Sequence, residues 1–145
     1  MPAASWSTEA SAVTAAAPEN VWALYEQVSA WKSWDHEVES SQLDGPFQAG
    51  STGVLKPKGG PASKFLLTAV EPARRFADVT RLPLARLAFE HTLTPVEGGG
   101  TRIHHRVTID GPLTFLFSRV IGRKIAAGLP RAVQSLAHAA RDRAA

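Results

Sequence analysis

The spacing of apolar residues changes from a helical period in the tail to a β-type period in the middle of the chain. In residues 113–142, apolar side chains recur every three or four positions and form one helix face: Phe117, Ile121, Ile125, Leu129, Ala132, Leu136 and Ala140. Arg119, Arg123 and Arg131 lie off that stripe. Pro130 lacks the amide hydrogen that a helix needs, so we expect a kink there. The tail is therefore predicted to be one long amphipathic helix that covers an apolar surface.

The segment before the tail alternates short β-type runs with Gly, Pro and Asp. The runs are "STGVLK", "SKFLLTAV", "RFADVTRL", "RLAFEHTL" and "TRIHHRVTI", and their even spacing between residues 39 and 111 predicts an antiparallel meander. Residues 6–17 predict a first strand, "PENVWALYEQV" predicts a helix that begins at Pro18, and a second short helix or turn follows with Trp31 and Trp34. We predict an α+β fold over residues 1–145, a single domain in which about seven antiparallel strands curve around the long helix.

Two histidines fall on the inner face of this sheet. His91 shares its phase with Leu87, Phe89 and Leu93, and His105 shares its phase with Ile103, Val107 and Ile109. A three-residue loop, Gly98–Gly100, would place His91 opposite Val107 and Leu93 opposite His105. The two histidines would then be diagonal neighbours, about 7–8 Å apart at the backbone.

Asp78 is the candidate partner of His91. A four-residue turn, Pro83–Arg86, would set Asp78 opposite His91 on the inner face. A turn one residue shorter would point Asp78 to solvent, and the sequence leaves both registers open. A paired carboxylate would raise the pKa of His91 and favour its use as a general base.

Composition and charge exclude several classes of protein. The chain has 145 residues, 44% hydrophobic and 20% charged, and it has no cysteine, which excludes disulfides and thiolate chemistry. The net charge of +3 comes from residues 113–145, where six basic residues accompany one acidic residue. No apolar run approaches the ~20 residues of a membrane span. The N-terminus "MPAASWSTEAS" shows no signal peptide, so we expect a cytoplasmic protein.

Metal, cofactor and nucleic-acid sites are not expected. His104 and His105 are adjacent in a strand and point to opposite faces, so they cannot share a metal ion. "KPKGGP" lacks the spacing of a phosphate loop and predicts a hairpin turn. The chain has no nucleophile elbow and no dinucleotide fingerprint. It also lacks the interleaved aromatic residues of a single-strand binding surface.

The stretch "AWKSWDHEV" allows two interpretations. Asp35, His36 and Glu37 could be acid-base groups, or they could mark the turn into the next strand. We favour the turn, facing solvent, because charge clusters at element boundaries are usually hydrated.

The motifs "PENVWALY", "WKSWDHEV", "LDGPFQAG", "FEHTLTP" and "GTRIHHRVTIDGPL", followed by the terminal helix, resemble the SRPBCC superfamily. This helix-grip group includes the START and birch-pollen-allergen folds, and the chain looks most similar to its bacterial polyketide cyclase/dehydrase-like branch. The resemblance implies an apolar cavity between the sheet and the long helix, closed at one end by the short helices, with Trp34 packed beneath them.

Three functions are consistent with this sequence. The first is binding of a small hydrophobic or aromatic ligand, lipid- or polyketide-like, in a cavity lined by Trp34, Phe65, Leu67, Phe89, His91, His105, Val107, Phe117 and Val120. The second is cyclisation or dehydration of such a ligand, catalysed by His91 with Asp78 or His105. The third is an interaction module that acts through the basic helix. The chain could be a monomer or a homodimer.

Overall fold

The computed structural model describes residues 5–144 and shows a curved seven-stranded antiparallel sheet with one long C-terminal helix. The strands are β1 (Ser5–Thr14), β2 (Val38–Asp44), β3 (Thr52–Pro57), β4 (Ser63–Glu71), β5 (Arg75–Leu82), β6 (Ala85–Pro95) and β7 (Thr101–Asp110). Their order in the sheet is β1-β7-β6-β5-β4-β3-β2. The predicted α+β helix-grip architecture is confirmed. The N-terminal stretch in which no signal peptide was expected begins at residues 1–4, which lie outside the described residues.

Two short helices connect β1 to β2. Helix α1 (Pro18–Glu26) begins at a proline, whose missing amide hydrogen costs nothing in a first turn. A 3-10 helix (Val28–Ser33) follows and carries Trp31. The apolar face of the two helices is buried against the sheet, with Tyr25 and Val21 fully enclosed. These helices therefore close one end of the interior.

The C-terminal helical segment begins with α2 (Thr114–Phe117), continues through a π-helical turn (Ser118–Gly122) and ends with α3 (Arg123–Ala144). Gly122 lies in the π-helical turn, where a Cβ atom would come within 3.1 Å of the Trp6 ring. Helix α3 runs unbroken through Pro130. The π-helical irregularity lies at residues 118–122, whereas at Pro130, where the sequence predicted a kink, α3 continues as a helix on both sides.

Two hydrogen bonds connect α3 to the sheet and to one of its turns. Thr14 on β1 donates a 2.9 Å hydrogen bond to the Ala137 carbonyl. On the other side, Lys124 Nζ donates a 2.7 Å bond to the carbonyl of Lys58 in the β3–β4 turn. That turn is the predicted "KPKGGP" hairpin. The apolar stripe faces inward, with Leu129 and Leu136 buried, while Arg119, Arg123 and Arg131 are exposed as predicted.

The hairpin registers differ from the prediction by two residues. His91 lies directly opposite His105, and Leu93 lies opposite Ile103, because five residues, 96–100, connect β6 to β7. Asp78 lies opposite Phe89, not His91, because only Pro83 and Leu84 connect β5 to β6. A shift of two residues preserves the side-chain phase. Asp78, His91 and His105 therefore all face inward, although their neighbours are not the expected ones.

Candidate functional site

Three neighbouring central strands each place one ionisable side chain on the buried face of the sheet. Asp78 comes from β5, His91 from β6 and His105 from β7, and each is less than 10% exposed. Apolar side chains surround them along the same strands. Buried ionisable groups normally have hydrogen-bond partners, so the partners of these three residues indicate what the site can do.

His91 is held by the strand beside it. Its Nδ1 atom lies 3.2 Å from the carbonyl oxygen of Phe76, and the two rings stack with centroids 3.9 Å apart. A carbonyl oxygen can only accept, so Nδ1 carries the hydrogen and Nε2 presents a lone pair. Burial lowers the pKa of His91 to about 3. The neutral ring therefore offers a hydrogen-bond acceptor, and within residues 5–144 no group donates to Nε2.

His105 is linked to the short helices through Tyr25. The Tyr25 hydroxyl and His105 Nε2 are 2.8 Å apart, and the His105 tautomer sets which of them donates. Burial lowers the pKa of His105 well below its usual value and raises that of Tyr25. Both groups are therefore neutral, and their bond ties α1 to β7.

Asp78 is a buried carboxyl group without a partner. It faces the interior between Leu67 of β4 and Phe89 of β6, and no group in residues 5–144 hydrogen-bonds to its oxygens. Burial raises its pKa to about 8. At neutral pH the carboxyl group is therefore mostly protonated, and it can donate as well as accept a hydrogen bond.

The Asp78–His91 pair that a four-residue turn would have formed is not present, because Asp78 lies opposite Phe89. The prediction required a carboxylate that raises the pKa of His91, but burial lowers that pKa, and the opposing effect comes from the Phe76 carbonyl. The two residues are diagonal neighbours across β5 and β6. At neutral pH, Asp78 is therefore a mostly protonated acid and His91 is a neutral base, and the two do not form an ion pair.

Trp34 adds a third polar group without a partner. Its indole Nε1 is buried and makes no hydrogen bond, whereas Nε1 of Trp31 donates to the Tyr25 carbonyl over 2.9 Å. The Trp34 ring lies 6.1 Å from the centroids of both Tyr25 and His105. A buried N–H without an acceptor is costly, and a bound ligand that accepts from it would remove that cost.

Aromatic rings occupy much of the space beside these polar groups. Tyr25, Trp22, Trp31 and Phe47 all pack within 6.3 Å of the Phe76 ring. Two depressions of about 260 and 250 Å³ lie elsewhere, one between β1 and the end of α3 and one at Ser40–Gln42 and Val54. The open cavity that the resemblance implied is thus largely filled by side chains at this end.

The opposite side of the site is less tightly covered. A second apolar cluster joins the C-terminal helical segment to β1, β5, β6 and β7. Several of its members are only partly buried: Trp6, Leu82, Phe89, Phe117, Ile121 and Ile125. Asp78 points inward next to Phe89. A ligand that reached Asp78 from this side would displace partly exposed side chains and not the central rings.

The structure brings most of the predicted lining residues together. Phe65, Leu67, His91, His105, Val107 and Trp34 are buried, and Phe89 and Phe117 are half-buried. The prediction that Val120 lines the cavity is wrong, because this side chain is 64% exposed on the π-helical turn. Tyr25 was missed as a polar group of the site. Its position on the buried face of an amphipathic helix, as the chain's single tyrosine, was the available signal.

The Asp-His-Glu cluster forms the turn into β2, as predicted, but it is not uniformly solvated. His36 is exposed, while Asp35 and Glu37 are half-buried. Asp35 Oδ1 accepts a 3.1 Å bond from the Glu37 amide, and burial raises the Asp35 pKa. A Cβ atom on Gly128 would come within 2.9 Å of Glu37, so this turn packs against α3.

No helix in residues 5–144 is long and apolar enough to cross a membrane. Among solved structures, the chain is similar to the Zhui aromatase/cyclase from Streptomyces sp. R1128, with a TM-score of 0.80 at 12% identity, covering 98% of this chain and 97% of that one. It is also similar to a norcoclaurine synthase mutant from Thalictrum flavum, with a TM-score of 0.74 at 11% identity, covering 100% and 99% of the two chains.

A protein from Thermus thermophilus is similar as well, with a TM-score of 0.74 at 16% identity, covering 97% of this chain and 100% of that one. At such identities these likenesses show the fold alone. No curated protein matches the sequence. The family described as "Polyketide cyclase / dehydrase and lipid transport" matches residues 5–143, nearly the whole chain. The chain belongs to this polyketide cyclase/dehydrase and lipid transport family.

Proposed function

We propose that this protein binds a small hydrophobic or aromatic ligand between the sheet and the C-terminal helix. The observation that supports the proposal is the buried indole Nε1 of Trp34, which has no partner, together with the carboxyl group of Asp78 and the Nε2 atom of His91, which make no hydrogen bond within residues 5–144. The indole N–H of Trp34 loses its hydration in the folded protein and gains no hydrogen bond in return. A ligand with matching polar atoms would supply those bonds.

The chemistry of the three groups limits the ligand class. A protonated carboxyl group and an indole N–H donate, and the Nε2 lone pair of His91 accepts. The remaining surface is apolar and aromatic, with Phe76, Phe89 and Tyr25 around the histidines. A ligand with an apolar or aromatic frame and one or two hydroxyl or carbonyl groups fits this arrangement. The family description and the aromatase/cyclase similarity agree with such a ligand.

Native mass spectrometry of the purified protein tests this proposal, because a tightly held ligand appears as added mass. We expect a retained small molecule, or saturable uptake of added 2-naphthol. Asp78→Leu and His91→Leu should reduce the bound fraction, while Asp44→Leu, a matched change at an exposed position, should leave it unchanged. Absence of both retained ligand and 2-naphthol binding would contradict the proposal.

We also propose a second function, dehydration or cyclisation of a bound ligand, on a specific observation. Burial raises the pKa of Asp78 to about 8 and lowers that of His91 to about 3, which leaves an acid and a base side by side at neutral pH. His91 Nε2 could remove a proton next to a ligand carbonyl, while Asp78 gives its proton to a departing hydroxyl. Water leaves, a double bond forms, and proton return from His91 to Asp78 restores the site.

This second function has its own test. A 3-hydroxyacyl thioester with an aryl end can serve as the probe, and the new double bond is followed by absorbance. Catalysis predicts that His91→Gln abolishes turnover while probe affinity changes little. Equal loss of affinity and turnover, or no turnover by the wild type, would leave binding as the sole role.

A further inference from the structure

Four large apolar side chains are exposed at one end of the molecule. They are Leu84 (68% exposed), Phe115 (63%), Leu116 (43%) and Val120 (64%), and we refer to them as the apolar tip. Single exposed apolar residues are common on protein surfaces, but four at one end are not explained by chance exposure.

Two separate segments meet at the apolar tip. Leu84 lies in the turn between β5 and β6, and the other three residues lie in α2 and the π-helical turn. The Leu113 amide donates a 3.0 Å hydrogen bond to the Leu84 carbonyl, which fixes the turn beside the start of the helix. Leu84 has a φ of 54°, a conformation that favours Gly or Asn, so the exposed leucine does not improve the turn itself.

The helical part of the tip occupies a face that the core does not use. Phe117, Ile121 and Ile125 point inward and pack in the second apolar cluster. Phe115 and Leu116 lie on the other face, followed one turn later by Arg119 and Val120. The exposed apolar residues are therefore additional to those that the fold requires.

The charges around the tip are basic. Arg86, Arg119 and Arg123 are exposed, and residues 111–124 contain no acidic side chain. Asp110 is an acidic residue next to this segment, and its Oδ2 atom lies 3.6 Å from Nη2 of Arg86. The tip thus combines projecting apolar side chains with a cationic rim, which suits a partner that is apolar below an anionic surface.

We propose that the apolar tip docks on a membrane surface that contains anionic lipid. Its side chains project into solvent from two segments and do not line a groove, so they are shaped to enter a soft interface and not to receive a helix or strand. Phe115, Val120 and Leu84 enter the headgroup boundary, and Arg119 and Arg123 contact lipid phosphates. The proposal rests on the surface alone and does not depend on the ligand in the interior.

Vesicle co-sedimentation tests the proposal with phosphatidylcholine vesicles, with and without about 30% phosphatidylserine. We expect binding to the anionic vesicles, weak binding to the neutral ones, and loss of binding at high salt. Phe115→Asp and Val120→Asp should each weaken binding at least about tenfold. Arg119→Glu should weaken it roughly fivefold or more.

Matched control variants distinguish binding through the apolar tip from general attraction of the protein to vesicles. Val13 is 59% exposed at the far end of β1, so Val13→Asp should bind like the wild type. Arg143→Glu, in the last turn of α3, serves the same purpose for charge. Leu84→Asn tests the tip independently of the helix, since asparagine tolerates a positive φ and the variant should stay folded.

Three outcomes would overturn the proposal. One is absence of binding to anionic vesicles. Another is an equal loss of binding in the tip variants and the control variants. The third is a concentration-dependent dimer that Phe115→Asp dissolves in analytical ultracentrifugation while vesicles stay unbound, which would make the tip a self-association surface.

Discussion

His91 and His105 face each other across β6 and β7, with their ring centroids 4.6 Å apart and their planes at 75°. Two imidazolium cations at this separation inside an apolar layer would repel each other strongly. Burial and this mutual effect both lower the pKa of His105, and burial lowers that of His91. The pair is therefore stable only while both rings are neutral.

The protein should lose stability in acid through this pair. The folded pKa of His91 is about 3, against 6.5 for an unperturbed histidine, so the unfolded chain binds more protons below pH 6.5. The contribution of His91 is present above pH 6.5 and is lost as pH falls toward 3. Between pH 7 and pH 4.5, His91→Gln should lose less unfolding free energy than the wild type, by on the order of 2 kcal/mol.

Urea denaturation at the two pH values measures this difference. His138→Gln is the control, because His138 is exposed on α3. An acid loss in His91→Gln equal to that of the wild type would show that His91 is not buried as a neutral group.

Asp78 should make the folded protein less stable as the pH rises. Its folded pKa is raised to about 8 from 3.8, so the folded state holds a proton that the unfolded state releases. The contribution of this proton to the free energy of unfolding is fully present below pH 4 and is lost as the pH rises through 8. Asp78→Asn removes this decline, so the variant should gain several kcal/mol relative to the wild type between pH 5 and pH 9. Thermal melting at both pH values checks the gain, and a pH-independent difference would contradict it.

The side-chain phase of the strands could be predicted from sequence, but the register could not. Alternation of apolar and polar residues identifies the inner face, and Asp78, His91 and His105 all lie on it. A shift of two residues keeps every side chain on the same face, so the pattern cannot detect it. The β5–β6 turn added to the error, because Leu84 adopts a positive φ at a position usually given to Gly or Asn.

The polar contacts of the site depend on how the helices dock on the sheet. Tyr25 and His105 are 80 residues apart in sequence, and no local pattern relates them. The missing partner of Trp34 Nε1 is likewise visible only once its neighbours are in place. The sequence therefore predicted the fold and the inward residues of the strands, but not their hydrogen bonds.

The Tyr25–His105 bond should contribute measurably to stability. Tyr25→Phe keeps the ring and its packing but leaves His105 Nε2 buried without a partner. We expect a loss of about 1–3 kcal/mol in unfolding free energy, measured by urea denaturation at pH 7. Unchanged stability would mean that water or another group satisfies Nε2.

The long helix should show a sharp difference between its two faces. Leu136 is fully buried against the sheet, so Leu136→Asp places a charge in the apolar layer and should unfold the protein or make it insoluble. Arg123 is exposed, so Arg123→Ala should change stability by no more than about 0.5 kcal/mol. Thermal melting compares the two, and the reverse ranking would mean that α3 presents its other face to the sheet.

The most direct test of ligand recognition is the indole N–H signal of Trp34 in a ¹⁵N-labelled protein. The chain has four tryptophans, and Trp34→Phe assigns the signal by its disappearance. Titration with 2-naphthol should shift the Trp34 signal saturably, because Nε1 gains an acceptor. The Trp31 signal should move less, since its Nε1 already donates to Tyr25. A Trp34 signal that does not move, or moves no more than that of Trp31, would contradict ligand binding at this site.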